Sequence, residues 1–312
     1  MKSYKATFES IKKEMNKVVV GQDEVIEQVL VAILANGNAL LEGFPGLAKT
    51  LAVRTLSELL NLKFSRIQNT PDLMPSDVTG TYLIEDSGGK RHFKFQPGPI
   101  FANIVLADEI NRATPKTQSA MLEAMQERQV TVGNSTFKLD EPFFVLATQN
   151  PIEQEGTYPL PEAQADRFLL KIKVDYPTVD DEYEIANRYT SEKPHTRLKV
   201  LLNKTHIVSL QEMTKKMPIA TDLKKYVVNL INTTRTQKEL IQYGASPRAS
   251  IGLIMAAKAR AMIEGRNFVN TQDVHAMAPS VLRHRVILNF EAERKGMSTD
   301  EAIKELIQKV KK

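Results

Sequence analysis

Short apolar runs alternate with helical segments from the start of the chain to about residue 176. Two stretches, 5–17 and 22–36, read as helices on either side of an apolar segment that ends at a glycine turn. The later runs are rich in apolar and β-branched residues and predict buried strands at 38–42, 63–68, 103–108, 143–148 and 168–174. Short buried strands separated by helical patterns are typical of a parallel sheet covered on both faces. The pattern therefore predicts an α/β domain.

Two segments interrupt this alternation and predict β-hairpins. Residues 80–96 carry strand-like runs on both sides of Ser87-Gly88-Gly89, and residues 129–139 do so around Gly133-Asn134. Glycine at such a position allows the chain to reverse within a few residues. Each hairpin is expected to project from the αβ core, although simple decoration of a sheet edge explains the local sequence equally well.

Beyond about residue 176 the strand-like runs stop and helical periodicity continues to the end. Ser246 before Pro247 predicts a helix start, with a capping serine and a proline at the first helical position. Ser298 and Glu301 match a capping box ahead of a further helical run. We therefore expect an αβ domain over residues 1–176 and a small helical domain over residues 177–312.

The composition of the 312-residue chain, with 42% hydrophobic and 25% charged residues, is that of an ordinary soluble protein. The chain contains no cysteine, which excludes disulfides and thiolate chemistry, and its five histidines lack metal-ligand spacing. No apolar run is long enough to span a bilayer, and the amino terminus lacks an apolar signal core. These features predict a cytoplasmic location without membrane insertion.

The candidate chemistry begins in residues 40–50, LLEGFPGLAKT, where an apolar run ends in a glycine-containing loop before an amphipathic segment. This is the arrangement of a phosphate cradle, in which backbone N–H groups face anionic oxygens, Lys49 supplies a positive charge and Thr50 holds Mg²⁺. The usual spacing, G-x-x-x-x-G-K-[ST], has glycine directly before the lysine. Here Ala48 stands at that position and the second glycine is Gly46. Similar turns occur in sheets that bind nothing, so the assignment depends on a second element.

Residues 104–109, IVLADE, supply that element. Four apolar residues predict a buried strand, and Asp108 and Glu109 follow at its carboxyl end, where open α/β sheets bind ligands. We expect Asp108 to orient Mg²⁺ or its waters and Glu109 to act as general base on the water that attacks the γ-phosphate. An acidic pair at a strand end is common by itself. Found about 60 residues after a phosphate loop, it predicts a nucleoside triphosphatase.

Three further polar residues extend the predicted site. Asn150 follows the strand at 143–148 and is a candidate to bind the attacking water or the γ-phosphate. Arg167 precedes the last strand and is a candidate for contact with a neighbouring subunit's nucleotide, whereas Arg248 begins a helix of the second domain and is a candidate to reach back to the phosphates. The rigid cationic fork of arginine stabilises the charge spread over the transferring γ-phosphoryl group. Taken singly, these side chains also fit turn or surface residues.

Four motifs together resemble the AAA+ superfamily and, within it, the MoxR family. They are EGFPGLAKT at 42–50, DEINRA at 108–113, ATQNP at 147–151 and EQEGTYPLPEAQ at 153–164. The resemblance extends from residue 20 to the C-terminal helices. It implies an α/β AAA+ P-loop domain with a parallel five-stranded sheet sandwiched by helices and two hairpin insertions. A small all-α lid domain is expected to follow.

The resemblance also assigns a role to each candidate residue. Lys49 matches the Walker A lysine, Asp108 and Glu109 the Walker B pair, Asn150 sensor 1, Arg167 the arginine finger and Arg248 sensor 2. The implied nucleotide contacts are Val20, Gly21 and Gln22 near the adenine, and Gly43, Pro45, Gly46, Leu47, Ala48, Lys49, Thr50, Leu51, Asp108 and Arg248 elsewhere, with Thr50 and Asp108 as Mg²⁺ ligands. Ala48 is typical of MoxR-like loops, whereas Ala165 departs from the larger apolar residue expected before Asp166-Arg167.

Proteins of this kind typically work as ring hexamers, are described as chaperone-like and often act with proteins that carry a von Willebrand factor A domain. By resemblance, we expect ATP to bind between the two domains, with Arg167 contributed in trans. Hydrolysis would then drive the remodelling or activation of a client protein. The sequence fixes neither the client nor the partner, and the choice of ATP over GTP follows from the resemblance alone.

Two other functions stay open at this point. Related clades with the same hairpins thread DNA, and a net charge of +5 with an isoelectric point near 9.1 permits nucleic-acid contact. An anionic nucleotide site explains this charge as well. The hairpin at 129–139 has Lys138 but is followed by Asp140 and Glu141, which is a thin basis for tracking a phosphate backbone. The other function is that of a magnesium-chelatase-like motor subunit.

Overall fold

The structure is a computed structural model that describes residues 2–87, 90–151, 156–190 and 197–310. Its elements up to residue 173 are α1 (Lys2–Met15), α2 (Asp23–Leu34), β1 (Ala39–Glu42), α3 (Lys49–Leu59), β2 (Phe64–Gln68), α4 (Pro75–Thr79), β3 (Gly80–Ser87), β4 (Lys90–Pro97), β5 (Ile104–Asp108), α5 (Pro115–Glu127), β6 (Gln129–Val132), β7 (Ser135–Lys138), β8 (Phe144–Gln149), α6 (Glu162–Ala165) and β9 (Leu170–Lys173). The remainder forms α7 (Val179–Thr190), α8 (Lys204–Lys216), α9 (Thr221–Thr236), β10 (Ile241–Tyr243), α10 (Pro247–Ile263), α11 (Thr271–Leu282), β11 (Ile287–Leu288), α12 (Phe290–Arg294) and α13 (Thr299–Lys309).

The centre of the first part is a five-stranded parallel sheet with the order β2-β5-β8-β1-β9. Successive side chains of a strand point to opposite faces, and in the three central strands β1, β5 and β8 both faces are buried. In β5, Ile104 and Leu106 belong to one apolar core, whereas Val105 and Ala107 belong to a second core. This double burial explains why the central strands are nearly continuous apolar runs, whereas the edge strands β2 and β9 include charged residues. The predicted α/β fold with five parallel strands is confirmed.

The register brings the carboxyl ends of neighbouring strands together. Gln68 pairs with Asp108 between β2 and β5, and Glu42 pairs with Gln149 between β1 and β8. The loop after β1, the acidic end of β5 and the amide-bearing end of β8 therefore meet at one edge of the sheet. This is the edge at which open α/β sheets bind their ligands.

Both predicted hairpins form. β3 and β4 pair antiparallel from Gly80 opposite Pro97, and β6 pairs with β7 from Gln129 opposite Lys138. The predicted turn glycines 88 and 89 lie outside the described residues, as do residues 153–155 of the fourth motif. The two hairpins contact each other, because the Phe95 ring stacks on the Phe137 ring with centroids 4.0 Å apart.

The second part is built around α10, which packs against α2, α8, α9 and α11. α10 lies so close to the sheet that a Cβ on Gly252 would be 3.0 Å from Leu169 Cδ1. This part is mainly helical, as predicted, but β10 and β11 form a two-stranded antiparallel ladder. The expectation that strands stop before residue 177 is wrong in this detail, since strands of three and two residues are too short to leave an apolar pattern. The domain boundary near residue 176 stays a prediction.

Within the described ranges, none of the helices has the length and apolar character needed to cross a membrane.

Candidate functional site

The loop between β1 and α3 forms the wall of the predicted phosphate site. Gly43 is required by a close approach, because a Cβ there would lie 2.5 Å from the Val174 carbonyl oxygen. Gly46 adopts a φ of +86°, in the left-handed region that glycine enters freely. Ala48 is also left-handed, with a φ of 54°, at a cost of roughly 1 kcal/mol for a residue with a Cβ. The turn thus has a glycine-like backbone at the position where the usual motif has glycine.

Lys49, the first residue of α3, turns its side chain back into the loop. Its ammonium donates to the Gly43 carbonyl and to the Phe44 carbonyl, the latter at 3.0 Å. Burial lowers the pKa of Lys49, and the carboxylates of Asp108 and Glu109 act in the opposite direction. The Lys49 ammonium therefore lies within electrostatic reach of both carboxylates.

The Asp108 carboxylate has more hydrogen-bonding partners than that of Glu109. Thr148 donates its hydroxyl to Asp108 Oδ1 at 2.6 Å, and Arg66 Nη2 lies 2.6 Å from Oδ2. Thr50 Oγ1 lies 3.5 Å from the same Oδ2. A hydroxyl and a carboxylate side by side are oxygen ligands of the kind that Mg²⁺ prefers, with water and substrate phosphates completing its shell. Thr50 and Asp108 therefore fit the predicted magnesium site.

Glu109 leaves the strand in a left-handed conformation, with a φ of 54°. Its backbone N–H donates to Thr148 Oγ1 at 2.8 Å, and its carboxylate accepts from Arg112 Nη1 at 2.9 Å. Backbone strain of this kind persists where surrounding contacts hold it, often in active sites. The Glu109 carboxylate is thus held in an ion pair with Arg112, which is not a partner of Asp108.

These groups share one cavity of about 410 Å³, within the usual size range of small-molecule sites. Its lining residues are Gly43, Pro45, Gly46, Leu47, Ala48, Lys49, Thr50, Leu51, Arg66, Asp108, Glu109, Thr148 and Asn150. The structure thus brings together the predicted loop residues, the acidic pair and Asn150. What these residues bind there stays a prediction.

The segment expected near the adenine lies beside the start of the helical part. Gly21 has a φ of +73°, and a Cβ there would be 2.8 Å from Asp181 Oδ2. Gln22 is buried and donates to the Asp175 carbonyl at 3.4 Å. Of the predicted residues Val20 to Gln22, Gln22 lines an apolar cavity that also reaches Lys49. Its volume of about 20 Å³ admits little more than a water molecule.

Arg167 and Arg248 lie together, but in a different cavity from the phosphate loop. This second cavity of about 280 Å³ is also lined by Asp166 and Arg285. Arg248 Nη1 is 3.7 Å from Asp166 Oδ2, and Arg167 Nη1 donates to the Leu122 carbonyl at 3.4 Å. Arg248 is thus not among the residues that line the phosphate cavity of its own chain. Its guanidinium lies beside Asp166 in this structure, and its reach back to the phosphates stays a prediction.

Three residues of the site were not predicted from the sequence. Arg66 and Thr148 hold the Asp108 carboxylate, and Arg112 holds that of Glu109. The one signal for Arg66 was its position as an arginine within a predicted strand of the sheet, and its exposed side chain did not by itself require a carboxylate partner. Nothing in the sequence singled out Thr148, which reads as one polar residue at a strand end. The same holds for Arg112, which reads as a surface residue three positions after Glu109.

Comparison with known proteins agrees with this geometry. The model of the family "ATPase family associated with various cellular activities (AAA)" matches residues 38–170, and the model of the AAA lid domain matches residues 233–306. The chain is 45% identical to "Chaperone MoxR1" of Mycobacterium tuberculosis, with 97% of this chain and 82% of that protein covered. It is 31% identical to "Protein MoxR" of Methylorubrum extorquens, with 92% and 90% covered.

A solved structure agrees along the whole length of the chain. The crystal structure of a putative ATPase from Cytophaga hutchinsonii is 44% identical and superposes with a TM-score of 0.92, covering 99% of this chain and 96% of that one. Its coverage includes the helical part, and together with the AAA lid model at residues 233–306 this confirms a lid domain after the AAA+ domain. With its family models, relatives and fold in agreement, the chain belongs to the MoxR family of AAA+ ATPases.

Proposed function

We propose that this protein hydrolyses ATP with Mg²⁺ and uses the reaction to remodel or activate client proteins as a ring oligomer. One observation carries the proposal: Lys49, Thr50, Asp108 and Glu109 line a single cavity at the carboxyl edge of the sheet. Phosphoryl transfer needs mainly positioning and charge stabilisation, and these four residues are the types that provide it.

Each residue has a distinct part in the proposed reaction. The loop N–H groups and the Lys49 ammonium bind the β- and γ-phosphates. Thr50 and Asp108 would hold Mg²⁺, which would supply positive charge to neutralise the phosphate oxygens. Glu109 takes a proton from the attacking water, once it has exchanged its partner Arg112 for that water. Asn150, on the same cavity wall, orients the water or the γ-phosphate.

The second cavity supports an arrangement in which the site is completed by a neighbouring subunit. Arg167 and Arg248 lie side by side, away from the phosphate loop of their own chain. In a ring, one subunit can present both arginines to the nucleotide of the next, where they stabilise the γ-phosphoryl charge in the transition state. A ring hexamer is the form we propose for this assembly.

Nucleotide binding by variants tests the assignment of the phosphate site. Lys49→Ala is expected to abolish ATP binding, because the loop loses the charge that offsets the phosphates. Lys116→Ala removes an exposed lysine of α5 and serves as the matched control. Isothermal titration with ATP and Mg²⁺ measures both. Undiminished binding by Lys49→Ala would overturn the site.

The chaperone-like role is tested by capture of clients and partners. Glu109→Gln is expected to bind ATP and hydrolyse it slowly, so that bound proteins are held in place. A pull-down with this variant and ATP should enrich a client, and a protein with a von Willebrand factor A domain as partner, relative to Lys49→Ala. Equal recovery by the two variants would argue against ATP-dependent engagement. ATPase stimulation by DNA would instead favour the nucleic-acid motor.

A further inference from the structure

The Asp166 carboxylate joins the strand-bearing part of the chain to the helical part. Asp166 lies between α6 and β9, directly before Arg167, and its side chain is largely buried. Arg285 Nε donates to Asp166 Oδ1 at 2.7 Å, and the Ser246 hydroxyl donates to Oδ2 at 3.0 Å. Arg248 Nη1 lies 3.7 Å from the same Oδ2. Three side chains of the helical part therefore converge on one carboxylate.

Arg285 fixes the backbone around Arg167 as well as the carboxylate. Its side chain is only 3% exposed. The guanidinium donates to the carbonyls of Asp166 at 3.0 Å, Phe168 at 2.5 Å and Leu169 at 3.0 Å. Burial lowers the pKa of Arg285, and the Asp166 carboxylate raises it. Because a buried charge is strongly unfavourable without its partner, the two groups hold each other in place.

The Ser246 hydroxyl donates to this carboxylate and does not cap its own helix. It stands at the N-cap of α10, where serine normally accepts a hydrogen bond from the first turn, but its side chain makes no such bond. The side chains at the N-caps of α8, α11 and α13 do make it. The first turn of α10, which carries Arg248, is therefore oriented by Asp166.

We propose that Asp166 and Arg285, with Ser246, form a joint that fixes Arg167 and Arg248 relative to each other so that both reach the neighbouring nucleotide together. The proposal rests on the function proposed above, in which these arginines act in trans. Arg167 is attached to Asp166 through the chain and Arg248 through the ion pair. Asp166, Arg285 and Ser246 are thus positioning residues. When the helical part moves on hydrolysis, both arginines move together, because the Asp166 carboxylate connects both of them to that part.

Steady-state kinetics of full-length variants give the first test. Asp166→Asn keeps the size of the side chain and removes its charge, and we expect kcat to fall by about tenfold to a hundredfold, as small misplacements of catalytic groups do. ATP affinity should stay within about twofold, since the joint lies outside the phosphate cavity. Ser246→Asp should lower kcat in the same way, because it keeps a good N-cap but sets a second carboxylate against Asp166.

Arg283→Lys is the matched control. Arg283 is 10% exposed and donates to the Lys171 carbonyl and to Asp300, both at 3.0 Å, without contacting Asp166. It therefore ties the helical part to β9, close to the backbone that Arg285 binds but outside the joint. We expect its kcat to be close to that of the wild type. A fall equal to that of Asp166→Asn would show a general loosening of the lid and overturn the joint.

Mixed rings separate positioning in trans from a structural defect. Asp166→Asn subunits keep Glu109, and Glu109→Gln subunits keep the joint, so mixed interfaces can combine both intact parts. We expect the mixture to exceed the activity of either variant alone. If it does not, while a parallel mixture of Arg167→Ala with Glu109→Gln recovers, the joint is refuted and the proposed function stands. If neither mixture recovers, the trans arrangement fails and the joint fails with it. Circular dichroism checks that Asp166→Asn is folded. If it is not, Ser246→Asp takes its place in the mixture.

Discussion

At the scale of single residues, the candidate site departs from ordinary backbone geometry at two positions. Ala48 and Glu109 both have a φ of 54°, which side chains with a Cβ adopt at a cost. At Glu109 the strain is offset by hydrogen bonds of its N–H and carboxylate. At Ala48 the side chain is exposed, so side-chain packing does not offset the backbone strain. The strain at Ala48 therefore has a measurable consequence.

Ala48→Gly is expected to leave the protein as stable as before or more stable, by up to about 1 kcal/mol. Glycine enters the left-handed region freely, although its greater freedom in the unfolded chain offsets part of the gain. Urea unfolding measures the change. Ala186→Gly, at an exposed position within α7, is the control and should destabilise by about 1 kcal/mol. Destabilisation by Ala48→Gly of the same size would contradict the strain.

Arg66→Gln is expected to lower the Mg²⁺ concentration needed for half-maximal ATP binding by a few-fold. The guanidinium occupies Asp108 Oδ2, the oxygen nearest to Thr50, and so competes with a metal ion for that carboxylate. The measurement is ATP binding against free Mg²⁺ in a Glu109→Gln background. Arg54→Gln removes an exposed arginine of α3 and is the control. An unchanged or higher Mg²⁺ requirement would rule out competition.

At the scale of elements, the sequence predicted the strands and hairpins that have a local residue pattern. It missed features that depend on contacts between residues far apart in the chain. The five strands of the sheet and the two hairpins were predictable, because each is a run of apolar or alternating residues bounded by turns, although the edge strand β2 is less buried than expected. The β10–β11 ladder was missed because it is too short for a pattern. Ser246 was correctly placed at a helix start, but its hydroxyl binds Asp166, 80 residues away in the chain. Such choices are decided by tertiary contacts that no local pattern encodes.

The hairpins are expected to be coupled through their aromatic rings. A double-mutant cycle of Phe95→Ala and Phe137→Ala should give an interaction free energy of about 0.5–1.5 kcal/mol, since the rings stack at a centroid distance of 4.0 Å. Unfolding in urea supplies the four free energies. Phe93, also in β4, is 74% exposed, so a cycle of Phe93→Ala with Phe137→Ala should give almost none. An interaction free energy near zero for Phe95 with Phe137 would mean that these rings do not couple the hairpins.

At the scale of the whole molecule, the segment after α11 ties the helical part to the sheet. Arg283, His284 and Arg285 all bond to backbone carbonyls between residues 168 and 171. His284 Nε2 lies 3.0 Å from the Phe168 carbonyl oxygen. Burial lowers the pKa of His284 well below its ordinary value, helped by the charges of Arg285, Lys171 and Arg283 and opposed by the bond to Phe168.

This buried histidine predicts that acid destabilises the protein. The folded state keeps His284 neutral, whereas the unfolded chain takes up a proton below about pH 6.5. The free energy of unfolding should therefore fall as the pH drops through that value. His284→Gln, which retains a donor for the Phe168 carbonyl, should reduce the slope between about pH 6.5 and 5. His206→Gln, at an exposed position, should not. Equal slopes for all three proteins would exclude His284 as the source.

The central claim is that the cavity around Lys49, Asp108 and Glu109 hydrolyses ATP, and the rate of a single turnover tests it most directly. Labelled ATP and Mg²⁺ are mixed with an excess of the wild type or of Glu109→Gln, so that nearly all of the ATP is bound and turns over once. We expect the variant to hydrolyse bound ATP about a hundredfold to ten-thousandfold more slowly, the usual contribution of a general base. Hydrolysis at the same rate in both proteins would contradict the account.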